Sequence, residues 1–159
     1  MRNLWVQIHK LHAWFVKAAS SLQSPLLLVV RLYWGWQLAT NGWGKLHSLP
    51  RVTEFFASLG LPAPGPTATF VASFEFVGGI LLALGLLSRI TALGITIDML
   101  MAYITADRAA LLSFFSDPGK FYVADPYTFL FAGLLILIFG PGKISLDTLL
   151  ARRFGEPNV

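Results

Sequence analysis

The chain has 159 residues, of which 55% are hydrophobic and 13% charged, with a formal net charge of +4. A soluble domain of this size is about 45–50% apolar and about 25% charged, so the composition favours a one-domain integral membrane protein. The small, dispersed charge does not favour nucleic acid as a partner. The absence of cysteine excludes disulfides, thiol relays, thiolate metal sites and cysteine-ligated iron–sulfur clusters within this chain.

Residues 1–20 are predicted to form an amphipathic helix that lies in the membrane interface. Apolar side chains recur there at helical spacing, and Lys10 and Lys17 lie off that stripe. The stripe consists of Leu4, Ile8, Leu11, Phe15 and Ala18.

Four apolar segments follow, at about residues 25–43, 67–87, 90–106 and 126–139. A membrane span needs about 20 residues, within a range of about 17–25. The first two segments fit, the third is marginal, and the fourth is short unless residues 121–123 extend it. Because only helices satisfy their own backbone in lipid without forming a closed barrel, the predicted fold is all-α. It is an integral membrane four-helix bundle with an N-terminal interfacial amphipathic helix.

The segments between and after the spans carry two further predictions. Phe55, Phe56 and Leu59 predict a short amphipathic element on the outer surface that roofs the mouth of the bundle. Ser145 is a candidate N-cap for a short helix that ends at Gly155. The chain is therefore divided into an interfacial helix (1–20), a four-span membrane domain (21–150) and a cytoplasmic tail (151–159).

Basic residues predict the orientation of the chain in the membrane. With four spans, the N-terminal segment, the connection at Arg89 and the tail share one side and hold seven basic residues, whereas the two longer loops hold four. The positive-inside rule then places both termini in the cytoplasm, in a multi-pass protein of the inner membrane.

Arg31, Glu75 and Asp98 each lie within an apolar segment. Ionisable residues in membrane spans are costly, so they usually face inward and are paired or functional. Counted at about 1.5 Å per residue, Arg31 and Asp98 lie about 10 Å and about 13 Å from the same edge. They are therefore predicted to form a structural ion pair.

Glu75 is placed deeper, about 20 Å from that edge when counted back from Ser88. Asn41 and Lys45 share a face of the first span with Trp34, and this face is expected to look into the bundle. Glu75 is expected to meet Asn41, with Lys45 reaching toward it. The ligand-binding candidates are thus Trp34, Asn41, Lys45 and Glu75, with Glu75 the candidate proton site. Two interpretations of Glu75 remain open, a contact that holds helices together and a ligand or proton site.

Metal and haem sites are not predicted. His9 and His12 have a spacing that could hold a metal, but no carboxylate or cysteine lies near them in the sequence. No histidine lies inside a span, which argues against a haem held between two transmembrane histidines. No cofactor bound covalently or through Cys or His ligands is expected.

The order of several motifs resembles the DoxX family of small four-helix membrane proteins. After Arg31 the chain has N-G-W-G-K at 41–45, F-F-A-S-L-G-L-P at 55–62, and Glu75 followed by Gly78 and Gly79. L-G-L-L-S-R at 84–89 and G-P-G-K-I-S-L-D at 140–147 complete a resemblance that covers about residues 25–150.

This resemblance implies a membrane protein linked to respiratory or redox complexes and often associated with quinone. The family includes the DoxD-type small subunit of thiosulfate:quinone oxidoreductase. We expect an accessory subunit of a larger respiratory or photosynthetic redox complex, whose partners are the lipid bilayer and other membrane subunits. The alternatives are a quinone-interacting oxidoreductase component and a small transporter. The sequence leaves open whether the chain is an enzyme.

Overall fold

The computed structural model describes residues 2–155, with their side chains except those of residues 2–4 and Val6. Within this range the chain is all-α and forms nine helices without a strand. They are α1 (Arg2–Ser21), α2 (Gln23–Leu46), α3 (Leu49–Ser58), α4 (Pro64–Leu84), α5 (Ser88–Thr105), α6 (Arg108–Leu112), α7 (Pro118–Val123), α8 (Pro126–Phe139) and α9 (Leu146–Phe154).

The predicted N-terminal helix forms, and it runs into α2 with only Leu22 between them. Leu22 keeps helical backbone angles (φ −79°, ψ −14°), so the chain does not reverse there. Within the predicted apolar stripe, Ile8, Leu11 and Phe15 are all exposed, whereas the side chain of Leu4 lies outside the described residues. The position of α1 in the membrane interface stays a prediction.

Two helical segments are long and apolar enough to cross a membrane, Gln7–Leu46 and Pro64–Leu84. The segment Pro126–Phe139 is apolar but shorter. It is not extended by α7, because Ala124 between the two adopts extended backbone angles (φ −67°, ψ 139°). Length and composition thus support two of the four predicted spans, and the other two stay predictions.

The four longest helices after α1 associate as two pairs. α2 packs most extensively on α4, and α5 packs on α8, whereas the contacts between the pairs are fewer. Glycines allow the first pair to approach closely, since a Cβ on Gly35 would lie 2.7 Å from the carbonyl oxygen of Gly79. Small residues at such contacts are typical of helix packing in membranes.

The buried apolar core lies between the two pairs. The outward faces are also apolar, with Trp36, Phe70 and Ile90 each 71% exposed, and an apolar outer surface of this kind suits lipid better than water. The core residues include Leu27, Val30, Leu38, Leu82, Ala92, Ile95, Met99, Tyr103, Leu130 and Ile136.

The two short flanking elements form where the sequence predicts them. Ser145 caps α9 by accepting a hydrogen bond from the backbone N–H of Thr148 (3.1 Å), and Gly155 ends the helix at φ 75°. The predicted domain boundary after residue 150 falls inside α9, and residues 156–159 of the predicted tail lie outside the described part. The outer element is α3, which packs against α4.

Candidate functional site

Arg31 is a residue of α2, and its side chain is completely buried (0% exposed). It lies beside the end of α4 and the segment that precedes α9. Its Nη1 donates to the carbonyl of Ala83 at 3.4 Å, and its Nη2 donates to the carbonyl of Ile144. Gly85 covers the guanidinium, because a Cβ at this position would overlap Nη1. Arg31 therefore fastens α2 to the last turn of α4 and to the segment that leads into α9.

Asp147 connects the same end of the molecule to α5. Its two carboxylate oxygens accept hydrogen bonds from the backbone N–H groups of Leu87 and Ser88, each at 2.8 Å. A carboxylate is favourable there because it satisfies free N–H groups at a helix N-terminus. The charge of Asp147 also acts on Arg31. We call Arg31, Gly85 and Asp147 the clasp.

The predicted ion pair between Arg31 and Asp98 is wrong. In the clasp, Arg31 donates hydrogen bonds to two backbone carbonyls and interacts with the charge of Asp147. The charged groups that act on Asp98 are Glu75 and Lys45 instead. Within residues 2–155, the ion pairs formed are Lys45–Glu75 and Lys120–Asp117.

A second error, in the depth of Glu75, comes from the turn that links α4 to α5. When the depth of Glu75 is counted back from Ser88, residues 85–87 are treated as helix, whereas α4 ends at Leu84. Glu75 is nine residues before Leu84 and Asp98 is ten residues after Ser88. At about 1.5 Å per residue, both carboxylates lie about 14–15 Å from that end of the bundle. They therefore share one level, and Arg31 lies below them.

Lys45 and Glu75 form an ion pair across α2 and α4. Lys45 Nζ lies 2.5 Å from Glu75 Oε1. Glu75 is 3% exposed, whereas the side chain of Lys45 is 36% exposed. The second carboxylate oxygen of Glu75, Oε2, is buried and has no hydrogen-bond partner among the described residues. A buried acceptor in this condition is uncommon and requires an explanation.

Asp98 adds a second carboxylate to this site from α5. It lies on the same cavity wall as Lys45 and Glu75, and its Oδ2 is also buried without a hydrogen-bond partner among the described residues. The sequence could have indicated this grouping if the depths of Glu75 and Asp98 had been counted from the Gly85 turn. We call Lys45, Glu75 and Asp98 the acidic cluster.

The acidic cluster lines a cavity of about 1410 Å³ between the two helix pairs. Three of its lining residues are also exposed on the outside of α4 and α5: Phe70 (71%), Ile97 (54%) and Met101 (48%). The cavity thus opens sideways between these two helices. Most of the remaining wall is apolar and rich in rings, contributed by Phe55, Phe56, Leu59, Phe74, Tyr122 and Phe129.

The other two predicted ligand residues differ in position. Asn41 lines the cavity beside Lys45, but no hydrogen bond joins it to Glu75. Trp34 is half-buried against the hydrophobic core and is not part of the cavity wall. Trp36 and Trp43 border a separate apolar groove of about 470 Å³ on the outer face of α2 and α4.

The histidines do not contribute to the acidic cluster. His9, His12 and His47 are exposed. Within the part of the chain that the structure describes, no group of three or more His, Cys, Asp or Glu side chains is placed to hold a metal ion.

The fold and the apolar outer surface define a small, all-helical membrane protein, and the comparisons with known proteins agree. The DoxX family model matches residues 26–108, so the chain belongs to the DoxX family. The chain is 29% identical to the inner membrane protein YqjF of Escherichia coli (strain K12) over 136 residues, which cover 84% of this chain and 98% of that protein.

A mycobacterial relative covers a similar share of the chain. The uncharacterized membrane protein Rv3486 of Mycobacterium tuberculosis (strain ATCC 25618 / H37Rv) is 34% identical over 145 residues, 81% of this chain and 83% of the relative. No solved structure matches the chain. Membership of the family and the names of both relatives place the protein in a membrane.

Proposed function

We propose that the chain is a multi-pass protein of the inner (cytoplasmic) membrane, with α2, α4, α5 and α8 as its four spans and α1 in the interface. The count of basic residues supports cytoplasmic termini. Arg89, which is one of the residues counted, lies in the first turn of α5 and donates to the carbonyls of Leu137 (2.7 Å) and Ile138 (3.3 Å), so the start of α5 and the end of α8 lie at the same end of the molecule. The clasp would then face the cytoplasm, and α3, α6 and α7 would lie on the outer side.

The function that the cavity supports best is the binding of a quinone-class ligand. The observation that carries this proposal is the acidic cluster itself: a lysine and two incompletely bonded carboxylates at the base of a cavity walled by aromatic rings. A quinone has a flat apolar ring with two polar oxygens, and pockets of this class combine apolar walls with a few polar groups. The sideways opening between α4 and α5 would admit a lipid-soluble molecule directly from the bilayer.

Each polar group has a defined part in this proposal. Lys45 or Asn41 donates a hydrogen bond to a ring oxygen, since each lines the cavity near the acidic cluster. Glu75 exchanges a proton with the bound ring, because its Oε2 is free to accept one. The apolar wall holds the ring and the first part of the tail.

The chain is further proposed to act as a component of a larger membrane redox complex. It contains no cysteine, so thiol or iron–sulfur electron transfer to a bound quinone would require another subunit. The accessory-subunit role expected from the family resemblance and the quinone site are therefore compatible: this chain would supply the pocket, and a partner would exchange electrons with the bound ring.

The test is gentle detergent purification followed by organic extraction and mass spectrometry of quinones and of copurified subunits. We expect quinone in the extract of the wild-type protein. Glu75→Gln should lower the retained ligand, counted as quinone plus quinol, about tenfold, because a hydroxyl of the quinol loses its charged acceptor and a hydrogen bond to a charged group contributes about 1.5–3 kcal/mol. Glu54→Gln is the matched control, since Glu54 is an exposed carboxylate outside the cavity.

Two results would count against the proposal. A wild-type extract without quinone would remove the quinone function and leave only the role as a subunit, which the copurified proteins would then have to support. Equal quinone retention in the Glu75→Gln and Glu54→Gln proteins, at equal protein stability, would show that the acidic cluster does not hold the ligand.

A further inference from the structure

The acidic cluster presents more hydrogen-bond acceptors than donors. Glu75 is buried and presents Oε2 without a partner, and Asp98 presents a buried Oδ2 in the same condition. Lys45 already donates to Oε1 of Glu75. A ligand that completes the hydrogen bonding of this cluster must therefore bring hydrogen-bond donors.

The oxidised and reduced forms of a quinone differ in this property. A quinone carbonyl can only accept, whereas each hydroxyl of a quinol both donates and accepts. Either form can accept a hydrogen bond from Lys45 or Asn41, but only the quinol can donate to Glu75 and Asp98. A quinone that displaced water from these carboxylates would leave both acceptors unsatisfied, and this loss lowers affinity.

We infer that the cavity selects the quinol over the quinone and that Asp98 is the residue that determines this selection. The inference rests on the proposed function and names the redox state of its ligand. Glu75 forms an ion pair with Lys45 at 2.5 Å, whereas among residues 2–155 Asp98 takes part in no ion pair. A hydroxyl donor of the ligand therefore contributes most to the binding free energy at Asp98, which forms no ion pair with a lysine or arginine within that range.

The aromatic wall supports the same ligand. A quinol is a flat ring with hydroxyl groups on opposite edges. With one hydroxyl at the acidic cluster, its faces would lie against rings such as Phe74, which reaches across to Gly94 on α5. Offset and edge-on contacts between aromatic rings stabilise such a placement.

The experiment compares three short-tailed probes on the purified full-length protein in lipid nanodiscs under anaerobic conditions: decylubiquinol, decylubiquinone and the dimethyl ether of decylubiquinol. Equilibrium dialysis with chromatographic detection gives the affinity of each. The ether keeps the shape of the quinol and removes both O–H donors. We expect the quinol to bind about tenfold more tightly than either of the other probes, the loss typical of an unsatisfied charged acceptor.

Asp98→Asn then tests the residue. Its amide can accept from a quinol and donate to a quinone, so the preference should fall below about threefold, mainly through tighter quinone binding. Asp117→Asn is the control, since Asp117 is an exposed outer-loop carboxylate outside the cavity, and it should keep the wild-type preference.

The outcomes separate the inference from the proposed function. If the quinone or the ether binds as tightly as the quinol, the selection is refuted while the quinone site stands. If none of the three probes binds, the proposed function itself fails. If folded Asp98→Asn protein keeps the tenfold preference, Asp98 does not determine it. The three-probe comparison on wild-type protein decides the selection even if the variant does not fold.

Discussion

The clasp makes a quantitative prediction about Gly85. This residue has φ +67°, and a Cβ on it would overlap Arg31 Nη1 and lie 2.7 Å from the Cβ of Ser145. Gly60 is a matched control, because it has φ +72° and a Cβ added to it would meet no other atom within 4 Å. Gly60→Ala therefore measures the cost of left-handed backbone alone, whereas Gly85→Ala adds the collision with the clasp.

The expected magnitudes follow from these two environments. An alanine in the left-handed region costs about 1–2 kcal/mol, which is the whole effect at Gly60. At Gly85 the added methyl group must also displace the guanidinium of Arg31, which is buried on all sides. Displacing the guanidinium weakens its hydrogen bonds to the Ala83 and Ile144 carbonyls and leaves a buried charge incompletely satisfied, for about 2–3 kcal/mol more. The total for Gly85→Ala is about 3–5 kcal/mol.

The assay is unfolding in mixed micelles of increasing sodium dodecyl sulfate fraction, followed by tryptophan fluorescence and by circular dichroism of the helices. The chain contains five tryptophans, which provide the fluorescence signal. Equal loss of unfolding free energy in Gly85→Ala and Gly60→Ala would refute the reasoning, because it would show that Arg31 can move away from the clasp without cost.

Three further predictions concern the clasp and the cavity. Asp147→Asn removes the charge that caps α5 and should lower the unfolding free energy by about 1 kcal/mol in the same titration; an unchanged value would contradict the cap. Lys45→Met should lower it by about 3–5 kcal/mol by leaving a buried carboxylate unpaired, and adding Glu75→Leu should restore most of the loss; a double variant as unstable as the single one would contradict the ion pair. Gly94→Ala places a Cβ 2.6 Å from Cζ of Phe74, so the ring should turn and decylubiquinol affinity should fall; unchanged affinity in dialysis would contradict a ligand beside Phe74.

The helix positions and the contact between Lys45 and Glu75 could be predicted from the sequence for simple reasons. Apolar segments of sufficient length form helices, and Ser145 and Gly155 carry the local chemistry of a helix start and end. The contact between Lys45 and Glu75 could be predicted because the two residues have opposite charges and because helical spacing places Lys45 on the inward face of α2.

The partners of Arg31 could not be predicted in this way. Its hydrogen-bond acceptors are the backbone carbonyls of Ala83 and Ile144, and every residue carries such a group, so no sequence pattern points to them. Pairing by charge and depth favoured Asp98 because it lay at nearly the same depth as Arg31 and had the opposite charge, and counting the turn at residues 85–87 as helix placed Glu75 too deep. The true grouping of Asp98 with Glu75 depends on where α4 ends, and helix ends are the boundaries that sequence patterns locate least accurately.

The two ends of the assembly formed by the pairs α2–α4 and α5–α8 are held together by different means, and this difference supports the proposed position of the ligand. At the clasp, Arg31 and Asp147 connect α2, α4, α5 and the start of α9 through hydrogen bonds to backbone groups. At the end of the molecule that holds the cavity, the ion pair between Lys45 and Glu75 is the polar contact of the acidic cluster that connects two helices. Both of these helices, α2 and α4, belong to the same pair. The pairs α2–α4 and α5–α8 can therefore separate around the cavity without breaking a buried hydrogen bond of the cluster. The proposed entry of a lipid-soluble ring between α4 and α5 would therefore leave the clasp intact, because the clasp joins α2, α4, α5 and the start of α9 at the opposite end.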